Sequence, residues 1–181
     1  MADVPEVPLE VASEPERFGK RVALSIAVLA ALLAWAGVGG NNAAEEALHA
    51  NIQSSDLWAF FQAKTIRQTA YRLALDGLEG SEAPGAEARR EEYRRKIAEF
   101  ESEPGTGEGR QELMARAREQ EALREAALVR DERFDLAETL LQVAIVIASV
   151  AILARVRWVW WLGLAVGAAG AAALGAASFV G

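Results

Sequence analysis

VALSIAVLAALLAWAGV, Val22 to Val38, runs for seventeen residues without a charge, and the uncharged stretch continues to Ala44. At ~1.5 Å of rise per residue, a helix over this block approaches the roughly 30 Å hydrocarbon layer of a bilayer. Thr139 to Ala154, TLLQVAIVIASVAILA, is a second uncharged block of sixteen residues, which draws on Phe134, Leu136 and Ala137 to reach that span. Trp158 to Val180 is a third, twenty-three residues long and rich in alanine and glycine. One such block could be a buried helix of a soluble protein. Three in a chain of 181 residues, each flanked by charge, point to membrane spans at 22–40, 136–154 and 158–180.

Charge is partitioned around these blocks. Residues 1–16 carry five acids and no base, with Pro5, Pro8 and Pro15, and read as a disordered acidic tail. Residues 41–135 carry twenty acids against fourteen bases, so neither region offers the basic face that nucleic acid requires. There is no cysteine, hence no disulfide, thiolate nucleophile or cysteine-ligated metal. Ala34-Trp35-Ala36 resembles a signal-peptide cleavage site, but the long acidic segment before the basic flank argues for an uncleaved span.

Arg17, Lys20 and Arg21 precede the first span, and Arg155 and Arg157 join the second to the third. With three spans both places share one side, and the positive-inside rule makes it cytoplasmic. The expectation is a multi-pass protein of the inner (plasma) membrane with a cytoplasmic N-terminus and residues 41–135 periplasmic or extracellular.

Glycine and proline divide that outer segment into helices at about 41–76, 86–103 and 110–135, with PGTGEG (Pro104 to Gly109) between the last two. The third has no breaker before Arg157 and is expected to run on into the second span. The fold class is therefore all-α: three transmembrane helices plus an extramembrane helical hairpin, resembling a coiled coil, between the first and second.

Helix 41–76 is apolar on two sides. Leu48, Ile52, Ala59, Ile66, Ala70 and Leu73 share one sector, while Leu57, Phe60, Phe61, Tyr71, Leu75 and Leu78 occupy much of the opposite half. The descending arm has thin apolar seams and covers one face only. The other face implies a second copy, with Leu57, Phe60, Phe61 and Leu75 as its interface; the competing arrangement is a monomeric bundle wrapping both faces.

NNAAEEALHANIQSSDLWAFFQAKTIRQTAYRLA (Asn41 to Ala74), set after one span and before a charged helical segment and two more spans, resembles the bacterial membrane-protein family known as domain of unknown function 4337. The resemblance covers the chain from about residue 17. It implies a three-span membrane protein and supplies no activity, cofactor or catalytic residue.

Chemistry in the sequence is sparse. No phosphate-binding glycine loop and no nucleophile elbow is present, and His49 is the single histidine. Glu46 and His49 have the E-x-x-H spacing of di-iron bundles, which need a second such motif, so the pair is either a metal half-site completed by a dimer or a structural histidine. In the second span Glu138, Gln142 and Ser149 form a polar stripe, read as a headgroup contact, a buried polar seam or an ion pathway. In the third, Gly163, Gly167, Ala171 and Gly175 recur every four residues, a spacing that permits close helix packing in a segment already rich in small residues. No catalytic residue and no cofactor is assigned. The expected role is a non-enzymatic, homo-oligomeric membrane scaffold or adaptor in contact with lipid; the alternative is a small channel, transporter subunit or sensor using the stripe.

Overall fold

The computed structural model describes residues 14–179, which are all-helical apart from short connections. Four helices follow in order: α1 (Glu14–Asp76), α2 (Ala86–Glu101), α3 (Arg110–Ala154) and α4 (Arg157–Phe179). The expected acidic tail falls mostly outside the described residues, and helix has already begun at Glu14. Gly37, Gly39 and Gly40 do not break α1, and α3 is unbroken from Arg110 to Ala154. α1, α3 and α4 each contain a window long and apolar enough to cross a membrane. Two compact units result, one from residues up to Asn42 with those from Arg130 on, the other Ala43–Val129.

In the first unit, segments of α1, α3 and α4 pack around Leu29, Ala36, Ala137, Leu141, Ala144 and Leu174. Only 17–28% of the residues in the apolar windows are buried, while Leu24, Trp35, Val146 and Leu153 point outward. An exterior this apolar suits hydrocarbon rather than water. Lipid tails supply no hydrophobic drive between helices, so close van der Waals contact has to hold them. Gly163 provides it: a methyl group there would lie 3.1 Å from the backbone nitrogen of Ala148 and 3.2 Å from the carbonyl of Ala144.

In the second unit, α1 from Ala43 onward packs on α2 and the first part of α3. Its covered positions run Ala43, Ala47, Ala50, Ser54, Leu57, Phe61, Lys64, Gln68, Tyr71 and Leu75, alternating steps of four and three, and all are buried or half-buried. α3 answers with Leu113, Ala117, Gln120, Arg124 and Ala127 at the same alternation. Small residues early in the α1 series allow close approach, and aromatic ones later fill the wider space beside α2. There Tyr71 packs on Tyr93 and Phe100, at 5.5 and 5.6 Å between ring centres.

The connections have local causes. Gly77 bonds back to the Leu73 carbonyl at 3.0 Å and closes α1, and Gly85, at φ 82, precedes α2 in the left-handed region that suits glycine. Glu112, in the first turn of α3, accepts from Ser102 Oγ at 2.6 Å and from the Glu103 amide at 3.3 Å, which folds PGTGEG back on itself. α2 stops at Glu101, short of the expected 103, because Ser102 turns extended to meet that carboxylate.

Candidate functional site

The second unit presents a polar cluster on its inside and an apolar seam on its outside. Gln68 is 1% exposed. Its amide nitrogen donates to the Ile97 carbonyl at 3.0 Å and to Glu101 Oε2 at 2.8 Å, while its oxygen accepts from Arg110 at 2.7 Å. Arg110 also donates to Glu101 at 2.8 Å and to Thr65 at 2.9 Å, and its guanidinium lies 4.9 Å from the centre of the Phe61 ring. The hydrogen bond from Gln68, with those from Gln111 and Arg110 and the arginine charge, holds the Glu101 carboxyl below the usual carboxylate range against the opposing effect of burial. Glu112 is lowered as well, first by its bond from Ser102. Further down the pair, Trp58 Nε1 donates to Glu121 at 2.8 Å. These bonds link α1, α2 and α3, and each charged group of the cluster has a partner within it.

The residues assigned to an oligomer interface sit mostly within the unit. Phe61 lies beneath Arg110 and against Trp58, Leu57 lines a shallow cleft with Arg116 and Gln120, and Leu75 is half-buried. Phe60 alone of the four is mainly exposed, at 63%. The bare face is the other sector. Leu48, Ile52, Ile66 and Leu73 are 49–70% exposed, and with Ser55, Ala59, Gln62 and Thr69 they form an outer series whose steps again alternate four and three. That series lies roughly 150° round the helix from the covered one.

His49 is exposed, and its Nε2 is 3.8 Å from Glu45 Oε1. Among the described residues no three histidine, cysteine or acidic side chains converge as a metal site, and Glu46 and His49 are not brought into one. In the first unit, Gln142 donates to Glu138 at 2.9 Å, but Ser149 Oγ donates to the Ile145 carbonyl of its own helix at 2.8 Å. The stripe is thus a local pair and a separate, internally satisfied hydroxyl. Of the small-residue series, Gly163 and Gly167 are buried, Ala171 is half-buried, and Gly175 meets nothing within 4 Å of an added methyl. The packed face instead turns through Gly170, where an added methyl would lie 3.0 Å from Leu141. Alternating three- and four-residue steps, rather than fours alone, were the available signal.

A family model for a domain of unknown function (DUF4337) matches residues 18–180. The chain belongs to the DUF4337 family. The match takes in all three apolar helices and the intervening unit, so these are features of one DUF4337 domain. No curated protein and no solved structure matches the chain.

Proposed function

We propose that this DUF4337 protein is a non-catalytic membrane scaffold that self-associates through the outer seam of α1. The supporting observation is the series Leu48, Ile52, Ser55, Ala59, Gln62, Ile66, Thr69 and Leu73, exposed at every position and free of charge. A seam repeating every 3.5 residues is the pattern by which two helices pair as a coiled coil. Its occupant is a second copy. Under a two-fold axis each uncharged position meets its own counterpart, with nothing repelled and no complementary charge required. Copies inserted the same way in one membrane run their α1 helices in the same sense, which places Ile52, Ala59, Ile66 and Leu73 at a positions and Leu48, Ser55, Gln62 and Thr69 at d positions. Polar d residues weaken the pairing while setting its register.

The three apolar helices support a multi-pass membrane protein. The basic residues before the first span, Arg17, Lys20 and Arg21, and those in the Arg155–Arg157 connection favour an inner-membrane orientation with that end cytoplasmic and the 41–135 segment outside. The channel or sensor reading draws on Glu138 and Gln142 alone, since Ser149 is bonded within its helix.

The deciding experiment is mass measurement of the detergent-solubilised full-length chain. Wild type is expected as a dimer or larger, and Ile66→Glu as a smaller species with unchanged helicity. A monomeric wild type, or an Ile66→Glu variant of wild-type mass, overturns the reading.

A further inference from the structure

Where α3 turns into α4, the chain uses only Arg155 and Val156. Arg155 has φ 52, in the left-handed region where glycine is the usual residue after a helix. A bulky charged side chain there is strained, and such strain gathers at functional sites. Its side chain lines a cleft of about 580 Å³ together with Arg157, Phe18 and Ile152. A second cleft of about 250 Å³ shares Phe18 and Arg157 and adds Arg17, Arg21, Trp160 and Trp161.

These two clefts bring together four arginines from separate parts of the sequence against two carboxylates, Glu14 and Glu16. Arg157 is held by Glu14 at 3.2 Å, with the two side chains 71% and 78% exposed, so the pair is weak and open to exchange for another anion. The walls are fixed and aromatic. Phe18 meets Trp160 edge-on at 5.9 Å, Trp160 lies 5.1 Å from Trp161, and Trp160 Nε1 donates to Ser25 Oγ at 3.3 Å. Guanidinium groups beside an aromatic and aliphatic wall, at the ends of apolar helices, match a ligand with a phosphate head and an acyl body.

We propose that these clefts form a binding site for an anionic phospholipid, with Arg155 and Arg157 on the headgroup phosphate and Phe18, Trp160 and Trp161 against the start of its chains. The site rests on the membrane-spanning reading and is independent of self-association. Glu14 is the resident anion that the phosphate displaces from Arg157.

The test is native mass spectrometry of the full-length chain released from bilayers of equal phosphatidylcholine and phosphatidylglycerol. Wild type is expected to retain phosphatidylglycerol several-fold over phosphatidylcholine. Arg155→Gly, which suits the backbone and so preserves the fold, and Arg157→Gln are each expected to abolish that preference, while Lys64→Gln keeps it. An unselective wild type, or an Arg155→Gly, Arg157→Gln double variant as selective as wild type, overturns the site. Inorganic phosphate that displaces phosphatidylglycerol at equal concentration identifies a soluble anion as the occupant and overturns it too. Release of wild type from membranes by alkaline carbonate would sink the membrane reading itself; a wild type retained but unselective sinks the lipid site alone.

Discussion

Gln68 and Arg110 are joined by a 2.7 Å hydrogen bond across forty-two positions of sequence, and the amide that accepts from Arg110 donates to Glu101 at the same time. A side chain that is both donor and acceptor is needed at this point, because Arg110 only donates and an ionised Glu101 only accepts.

Replacing Gln68 with leucine keeps the volume and removes both functions, leaving the Ile97 carbonyl without its side-chain donor and Arg110 without one acceptor. The expected cost is about 1–3 kcal/mol, the penalty for buried polar groups that lose their partners. Thermal unfolding followed by circular dichroism in detergent measures it. A midpoint equal to wild type would show that the cluster does not hold the three helices together.

Acid should loosen the same place. Glu101 and Glu112 have carboxyls lowered in the folded chain, so each contributes stability that is complete above its unfolded value and is lost as pH falls through the folded one, below the usual carboxylate range. Glu101→Gln is therefore expected to lower the unfolding midpoint at neutral pH, and the difference from wild type to shrink as acid protonates the Glu101 carboxyl below the usual carboxylate range. A midpoint difference that stays constant as the pH falls would assign the effect to packing instead.

Two glycines of α4 make a matched pair. Gly163→Val would push branched carbons into the Ala144 and Ala148 backbone, which cannot swing aside, and overpacking of this kind costs about 1–3 kcal/mol or more. Gly175→Ala meets open space and should leave resistance to denaturing detergent unchanged or improved. Equal loss in both variants would show that α4 is held by some other face.

The three helices long and apolar enough to cross a membrane were legible as sequence because runs of sixteen to twenty-three residues without charge stand out whatever surrounds them. Helix breaks were legible at Gly77, Gly85 and the PGTGEG loop because glycine and proline act locally. Burial of Gln68 was not, since glutamine on a helix ordinarily faces water and its partners, Ile97, Glu101 and Arg110, come from later helices.

By itself, the sequence determined that α1 has more apolar surface than one neighbour can cover, and it placed the bases beside the spans. Only the tertiary structure decided which apolar sector is used inside the chain: Leu57, Phe61 and Leu75 are half-buried, while Ile66 and Leu73 are left bare. Both sectors carry comparable apolar side chains, so composition does not rank them. Small residues at Ala43, Ala47, Ala50 and Ser54 let α3 come close on one face, and close approach there commits the opposite face to whatever lies outside the chain.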